Sequence, residues 1–352
     1  MSLNNNNRIF WAIKAFGIAE DGSSSFTPVK GLQSVGITTT FNLEQVFQIG
    51  QSAIYENVED TPDVEVTLEK VLDGYPLIYH LATPNATAPS LIGRSNEKCT
   101  AAMSIFGDDL DSASGTPNAQ VTMSGMFVSS ISYAVANDGN ATESVTLVGN
   151  NKVWATGSFT FTGSIFDNTD VPLSISSGTG GVQRRENFVY GSATDGTNSL
   201  LPAGFGGIPG INPNGTNSLR SNGRGYTTHV NRITVSADLG REALNELGLR
   251  NPFFRFVNLP VEVSSEIEIL AVDADLVSAT EEGVAGNGDN LFNQRILIVM
   301  DDSTKIDTGD KNKLQSVSYG GADAGGGNAT CTFSYVTYNS LTVQQGQDPA
   351  GL

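Results

Sequence analysis

The chain writes one hairpin twice. "SISYAVANDGNATESVTLVGNN" (Ser130 to Asn151) returns near the C-terminus as "SVSYGGADAGGGNATCTFSYVTYN" (Ser316 to Asn339), with the same Ser-x-Ser-Tyr, the same Asn-Ala-Thr and a similar closing apolar strand. Further matches lie upstream in the same order. "VGITTTFNLEQVFQIG" (Val35 to Gly50) faces "NRITVSADLGREALNELG" (Asn231 to Gly248), and Gly50 and Pro62 stand 198 residues before Gly248 and Pro260. "PDVEVTLEKV" pairs with "PVEVSSEIEIL" after one residue of slippage, and "SIFGDDLD" (Ser104 to Asp111) with "LIVMDDST" (Leu297 to Thr304) at an offset of 193. The hairpins themselves match at 186 to 188. Collinear matches with a slowly drifting offset mark a duplicated domain, because the period is far too long for a solenoid. The expected organisation is copy one over 1–165, a connecting segment or contact arm over 166–228, and copy two over 229–352.

Nearly everything in each copy alternates with period two and carries β-branched residues, which predicts strands. The expected fold class is mainly β: two tandem β-sandwich or partial-barrel domains, each with one short helix. The helices are expected after Asn42 and Asp238. Asn42 with Gln45 reads as an N-cap and capping box, Leu43, Val46, Phe47 and Ile49 as an apolar face, and Gly50 as a left-handed C-cap. Asp238 and Gly248 bound the second helix, with Leu239, Ala243, Leu244 and Leu247 facing the core. The stretch Gly191 to Gly225 is rich in Gly, Asn, Ser and Pro and reads as an irregular loop. Loops of that length are commonly functional or disordered, and a contact arm to a neighbouring subunit is the sharper reading.

Composition narrows the chemistry. With 352 residues the chain can bury a core in each copy. Charged residues make up 16%, against roughly a quarter in average proteins, so Asn, Ser, Thr, Gly and Gln must cover the surface. Thirty-seven acids against 19 bases leave a formal charge of −18, which argues against tight binding to nucleic-acid phosphates. Cys99 and Cys331 stand in no ligand-like spacing and read as small buried hydrophobes. His80 and His229 do not make a zinc cluster. The opening "MSLNNNNRIFWAIKAFGIA" lacks the order of a signal peptide, and no window approaches a membrane-spanning run. A cytoplasmic origin is therefore expected, with the Asn-x-Thr sites as chance matches.

No catalytic constellation emerges. Two histidines and no nucleophile-elbow pattern leave no Ser-His-Asp set. "SGTGGVQRR" lacks the Lys-Ser/Thr ending of a phosphate-cradling loop. The doublets Asp108-Asp109 and Asp301-Asp302 do not meet a calcium-loop spacing and read as turn residues. Neither cofactor nor metal is expected.

Acidic residues are patterned. From Phe256 to Gln294 there is no Lys or Arg, while Glu262, Glu266, Glu268, Asp273, Asp275, Glu281, Glu282 and Asp289 occur. In copy one, Glu65 and Glu69 alternate with Val64, Val66 and Leu68, and in copy two Glu266 and Glu268 alternate with Ile267 and Ile269. These four glutamates share a sheet face that is either an ordinary solvated surface or the wall of a cavity.

The segments "FNLEQVFQIGQSAIYENVEDTPDVEVTLEKVLDGYPLIYHLAT", "SISYAVANDGNATESVTLVGN", "LGREALNELGLRNPFFRFVNLPVEVSSEIEIL" and "DKNKLQSVSYGGADAGGGNATCTFSYVTYN" resemble tail tube proteins of tailed bacteriophages. The resemblance covers most of the chain, least of all Gly191 to Gly225. It implies a non-enzymatic structural virion protein whose stacked rings form the conduit for genome ejection, located in the tail and assembled in the host cytoplasm. In that family six single-domain subunits close one inner β-barrel, so two copies per chain imply a trimeric, pseudo-sixfold ring. The implied partners are further copies of the chain, a tape measure protein inside the tube during assembly, a sheath where the tail contracts, and DNA passing without specific binding. No membrane partner is implied. Glu65, Glu69, Glu266 and Glu268 become candidates for the lumen. Ser132, Tyr133, Thr146, Ser318, Tyr319 and Thr332 become candidates for the inner-wall hairpins, and Asn198, Phe205, Asn212 and Asn222 for contacts between rings. A distal-tail or baseplate ring of the same fold, a carbohydrate-binding β-sandwich adhesin and a glycosidase using Asp108 or Asp301 are the alternatives.

Overall fold

The computed structural model describes residues 8–23, 25–107, 113, 117–155, 181–189, 198–204, 206–211, 228–271, 277, 291–321 and 327–345. The first half contains β1 (Lys14–Glu20), β2 (Thr27–Pro28), β3 (Leu32–Thr40), β4 (Leu43–Phe47), β5 (Ile54–Glu59), β6 (Asp63–Val71), α1 (Ile78–Leu81), α2 (Leu91–Ser95), β7 (Lys98–Ile105), β8 (Ala119–Ala136), β9 (Thr142–Gly149) and β10 (Val153–Ala155). The second contains β11 (His229–Asp238), β12 (Arg241–Leu244), β13 (Phe254–Val257), β14 (Glu262–Leu270), β15 (Leu297–Val299), β16 (Lys305–Asp307), β17 (Lys313–Gly320), β18 (Thr330–Tyr338) and β19 (Thr342–Gln344). The mainly β class is as expected.

One antiparallel sheet dominates, and its spine runs β3-β6-β9-β8-β11-β14-β18-β17. The first four strands and the last four follow the same order of equivalent elements. Their registers agree down to the irregularities. A bulge falls at Gln33, between the pairs Leu32–Lys70 and Ser34–Glu69, and another at Asn231, between Val230–Ile269 and Arg232–Glu268. A second bulge falls at Ser129 opposite β9 and at Gln315 opposite β18. An extra residue bends and twists a strand locally, so the two units share their bends as well as their order.

β8 carries the sheet from one unit to the next. Its N-terminal part pairs with β7 and β10, and its C-terminal part with β9 and β11. Within the part paired with β7 lies Gly125 at φ +64°, a conformation that side chains with a Cβ rarely adopt. Outer strands β1, β2 and β7 extend the sheet away from the spine.

The expected helices after Asn42 and Asp238 are not there. These segments form the antiparallel hairpins β4–β5 and β12–β13. Asn42 closes the base of its hairpin: its side-chain amide donates to the Thr61 carbonyl at 2.9 Å and the Asp63 carboxylate at 3.0 Å. Gly50 and Gly248 do take positive φ, +102° and +94°, at the tips of the hairpins. A short apolar run beside a polar cap fits both periods, and the β-rich return strand after Gly50 decides for pairing. The described helices, α1 and α2, lie elsewhere and belong to the first half.

One apolar cluster spans both units. Val66 and Leu68 of β6, Val145 and Leu147 of β9, Ile233 and Val235 of β11, and Ile267 and Phe333 of β14 and β18 all point to the same side. Ile298, Ile306 and Val343 from the small β15-β16-β19 sheet join it. The covering layers of the two halves are tied together, since Leu91 N–H donates to the Leu341 carbonyl at 2.8 Å and His80 Nε2 lies 3.1 Å from the Val343 carbonyl. Cys99 and Cys331 are buried free thiols, as expected.

A buried polar group interrupts the apolar layer in the first unit. The Glu143 carboxylate accepts from the N–H groups of Ile78 (2.6 Å) and Tyr79 (3.1 Å) and from the Tyr133 hydroxyl (3.0 Å). It thus holds the first turn of α1, whose amides have no partner within the helix. Lys70, its cross-strand neighbour, donates to Asp73 at 3.0 Å and to the carbonyls of Tyr75 and Pro76. The equivalent positions in the second unit are Ile269 and Cys331, an apolar pair.

Burial raises the Glu143 pKa, more than nearby Lys70 and the donated hydrogen bonds lower it. The folded chain therefore holds this proton to higher pH than the unfolded chain does. Its contribution to stability is full below the ordinary glutamate pKa of about 4.3 and is lost as pH rises through the raised folded value. Glu143→Gln should shallow that decline in a pH series of urea melts. Glu143→Ala, which strands the Ile78 and Tyr79 amides and the Tyr133 hydroxyl, should cost about 3–5 kcal/mol.

Candidate functional site, an open sheet face with two free edges

The eight-strand spine has one face on the core and one face open. Alternation places Glu65, Thr67 and Glu69 of β6 on the open face while Val64, Val66 and Leu68 are buried. Glu266 and Glu268 of β14 take the same face opposite Ile267 and Ile269. The four glutamates singled out in the sequence are therefore on one surface. The bulge-matched registers make Glu69 and Glu268 equivalent, whereas Glu65 is equivalent to Ser264 and Glu266 to Thr67. Between the acidic strands the open face is Ser- and Thr-rich, with Ser130 and Ser132, Ser144 and Thr146, Thr234 and Ser236, and beyond β14 it continues with Thr332 and Ser334. Ser34 donates to Glu69 at 3.5 Å and Asn231 donates to Glu268. Arg232 of β11 stands directly opposite Glu268 in the β11–β14 register.

Ser132, Thr146, Ser318 and Thr332 lie on the open face. Tyr133 does not: it turns into the core and donates to Glu143. Tyr319, its equivalent, has the core-side parity but stands exposed, because β17 is the last strand of the sheet. Asn198 is half-buried beside the buried Ser199 and Leu201. Phe205, Asn212, Asn222, Asp108 and Asp109 lie outside the described residues. Asp302 Oδ1 accepts from Thr304 N–H at 2.9 Å, a turn contact of the kind expected of this doublet.

Sequence reasoning missed the edges and the hairpins. β3 pairs β6 and β17 pairs β18, and neither has a second strand partner among the described residues. β3 reads Leu-Gln-Ser-Val-Gly-Ile-Thr-Thr-Thr, nine residues without a charge or proline. Edge strands are ordinarily blunted by such residues, and one left long and plain is a template for pairing.

The two hairpins differ in what they touch. β12–β13 leaves the second unit and lies back across the β8–β11 junction onto the first. Phe254 packs edge-on against Phe127 of β8 with ring centroids 5.0 Å apart. Arg241 donates to the Val128 carbonyl at 2.8 Å and lies 5.1 Å from the Phe127 ring centroid. Burial pushes the Arg241 guanidinium down to about 10. Arg255 reaches Asn150 and Asp63, and Arg250 reaches Glu59. By contrast β4–β5 is exposed along its length, including Leu43, Phe47, Ile54, Tyr55 and Val58. The tips, Ile49 and Leu247, are fully exposed in both hairpins.

No protein-family model matches the chain, and no curated relative does. Among solved structures it is similar to a chain of the anti-feeding prophage baseplate (9% identity, TM-score 0.31, 43% of this chain and 97% of that one). It is also similar to a chain of the sheath–tube complex of an extracellular contractile injection system (13%, 0.33, 44% and 95%). A third is a chain of the virion of a gene transfer agent (11%, 0.26, 40% and 95%). The chain is thus similar, at low identity and over less than half its length, to components of phage-tail-like assemblies.

Proposed function

We propose that this chain is a ring-forming structural subunit of a phage-type tail tube, three copies closing one barrel wall and successive rings stacking into a conduit. The observation that carries this reading is the spine of eight strands, two equivalent four-strand units in series, with an edge at each end that has no further strand partner among the described residues. A series of equivalent units joined edge to edge continues until it meets its own beginning, and closure removes the free edges altogether. Sixfold closure uses three chains. The contact is heterologous and head-to-tail, the kind that makes rings.

In such a ring the core face looks outward to the covering layers and the open face lines the hole. Glu65, Glu69, Glu266 and Glu268 then stand on the lumen wall among serines and threonines. A basic wall holds DNA by releasing counterions; an acidic one repels the polyanion and leaves it mobile. The same wall would enclose the tape measure during assembly, and a sheath would pack outside where the tail contracts. The role requires neither catalysis nor cofactor. Ile49 and Leu247, equivalent hairpin tips left bare even where the hairpin is docked, are placed to meet the next ring, since apolar tips of this kind gain from being covered.

Negative-stain imaging of the full chain should give annuli of threefold or pseudo-sixfold outline, stacked into tubes, with a solution mass in multiples of three chains. Monomers with glycan affinity would favour the adhesin reading, and rings that never stack would favour a terminal adaptor. Ile49→Asp with Leu247→Asp should shorten tubes severalfold by electron microscopy while leaving single rings. Replacing the four glutamates with Lys should make assembled tubes retain duplex DNA at low salt and release it as salt rises, with log–log binding falling steeply. Equal retention by the unaltered tubes would remove the lumen assignment.

A further inference from the structure

Taking the ring reading as its premise, we infer that the contact between chains repeats the β8–β11 junction inside each chain: β17 of one copy pairs antiparallel with β3 of the next in a defined register. In that register Ser316, Val317, Ser318 and Tyr319 face Thr40, Thr39, Thr38 and Ile37, and the β4–β5 hairpin clasps the neighbour as β12–β13 clasps β8.

The register follows from the internal equivalences. β8 and β17 match at an offset of 186 through their shared bulges at Ser129 and Gln315. β3 and β11 match at 198 through Gln33 and Asn231. Within the chain, β8 and β11 pair as Ser130–Asp238, Ile131–Ala237, Ser132–Ser236 and Tyr133–Val235. Carrying both offsets across yields the pairs above. Three of the four join like with like, such as Ser318 with Thr38 on the open face and Tyr319 with Ile37 on the core face, and the fourth, Val317 with Thr39, joins two β-branched residues.

Exposure supplies independent support. At the internal junction Leu239 is 0% exposed and its N–H donates to the Ser129 carbonyl at 2.8 Å. Its equivalent at the free edge, Phe41, is 70% exposed. Tyr133 is 1% exposed and its equivalent Tyr319 57%. Ile233 and Val235 are buried, whereas Val35 and Ile37 are half-buried. The residues left bare at the two outer edges are those whose equivalents are covered where two units already meet. A copy of the same junction covers them, the Phe41 amide donating to the Gln315 carbonyl of the neighbour. The exposed β4–β5 hairpin has the same explanation: the hairpin leaving β11 has a unit to lie on, whereas the one leaving β3 lies on no sheet among the described residues and is met at its base by Arg250.

The test is cross-linking in the assembled full chain, whose two native thiols are buried. Directly opposed strand residues bring their Cβ atoms to about 4.5–5.5 Å, so a short thiol-to-thiol cross-linker bridges them. Thr38→Cys with Ser318→Cys should convert most chains to covalent dimers and trimers on a non-reducing gel. Thr38→Cys with Lys313→Cys, one same-face position beyond the diagonal neighbour Ser316, should stay largely monomeric. Phe41→Ser should weaken ring association about tenfold or more, the scale of a buried anchor, and leave the melting of the single chain unchanged. Rings on the grid that cross-link only through the offset pair, or through neither, overturn the register and leave the ring reading standing. No rings from the unaltered chain overturns the ring reading, and the inference with it. Unweakened Phe41→Ser rings overturn the clasp.

Discussion

Every strand presents two rows of backbone N–H and C=O groups, and each row must find a second strand or water. In this chain that requirement is met continuously from β6 to β18, across the boundary between two equivalent units, by the β8–β11 ladder. The duplication therefore does more than double a domain. It joins the two units through one continuous ladder inside the chain, and the outermost rows, on β3 and β17, have no further strand partner among the described residues.

The two units solve the burial problem differently. In the first, Lys70 and Glu143 sit opposite one another under α1, fully buried and hydrogen-bonded. In the second, Ile269 and Cys331 occupy the matching pair. Buried charged groups of this kind, Lys70 paired with Asp73 and Glu143 with two amides and a hydroxyl, are often no more stabilising than apolar replacements, so their presence needs a local reason. The reason is α1, whose Ile78 and Tyr79 amides are buried and take Glu143 as their acceptor. Once the carboxylate is committed there, a nearby Lys reduces the cost of its charge, and Tyr133 is drawn inward as a third donor.

Much of the architecture was legible because it rests on period-two alternation and collinear offsets. The strand faces of β6 and β14, the shared surface of the four glutamates and the duplication itself all follow from those patterns. The helices placed after Asn42 and Asp238 failed where the pattern was shortest. Five or six residues with a polar start and a glycine end suit either period, and only the pairing partner, β5 or β13, chooses. Tyr133 was misplaced for a related reason. Its match to Tyr319 is real, but one position is covered by α1 and a neighbouring strand while the other ends the sheet. The bulges at Gln33, Ser129, Asn231 and Gln315 carry no side-chain signature, since an extra residue in a strand is defined by its partner's register.

Period and repetition, which are properties of the order of residues along the chain, were enough to predict a mainly β chain and the acids on one face of β6 and of β14. Which strands are neighbours, which edges stay bare and which hairpin finds something to lie on depend on hydrogen bonds between segments about a hundred or more residues apart, such as Ser132 with Ser236. Those bonds are chosen by competition among alternating segments of similar composition, and that competition is decided only when the whole core is packed. The same Ser-x-Ser-Tyr therefore becomes an interior corner in one copy and an open edge in the other.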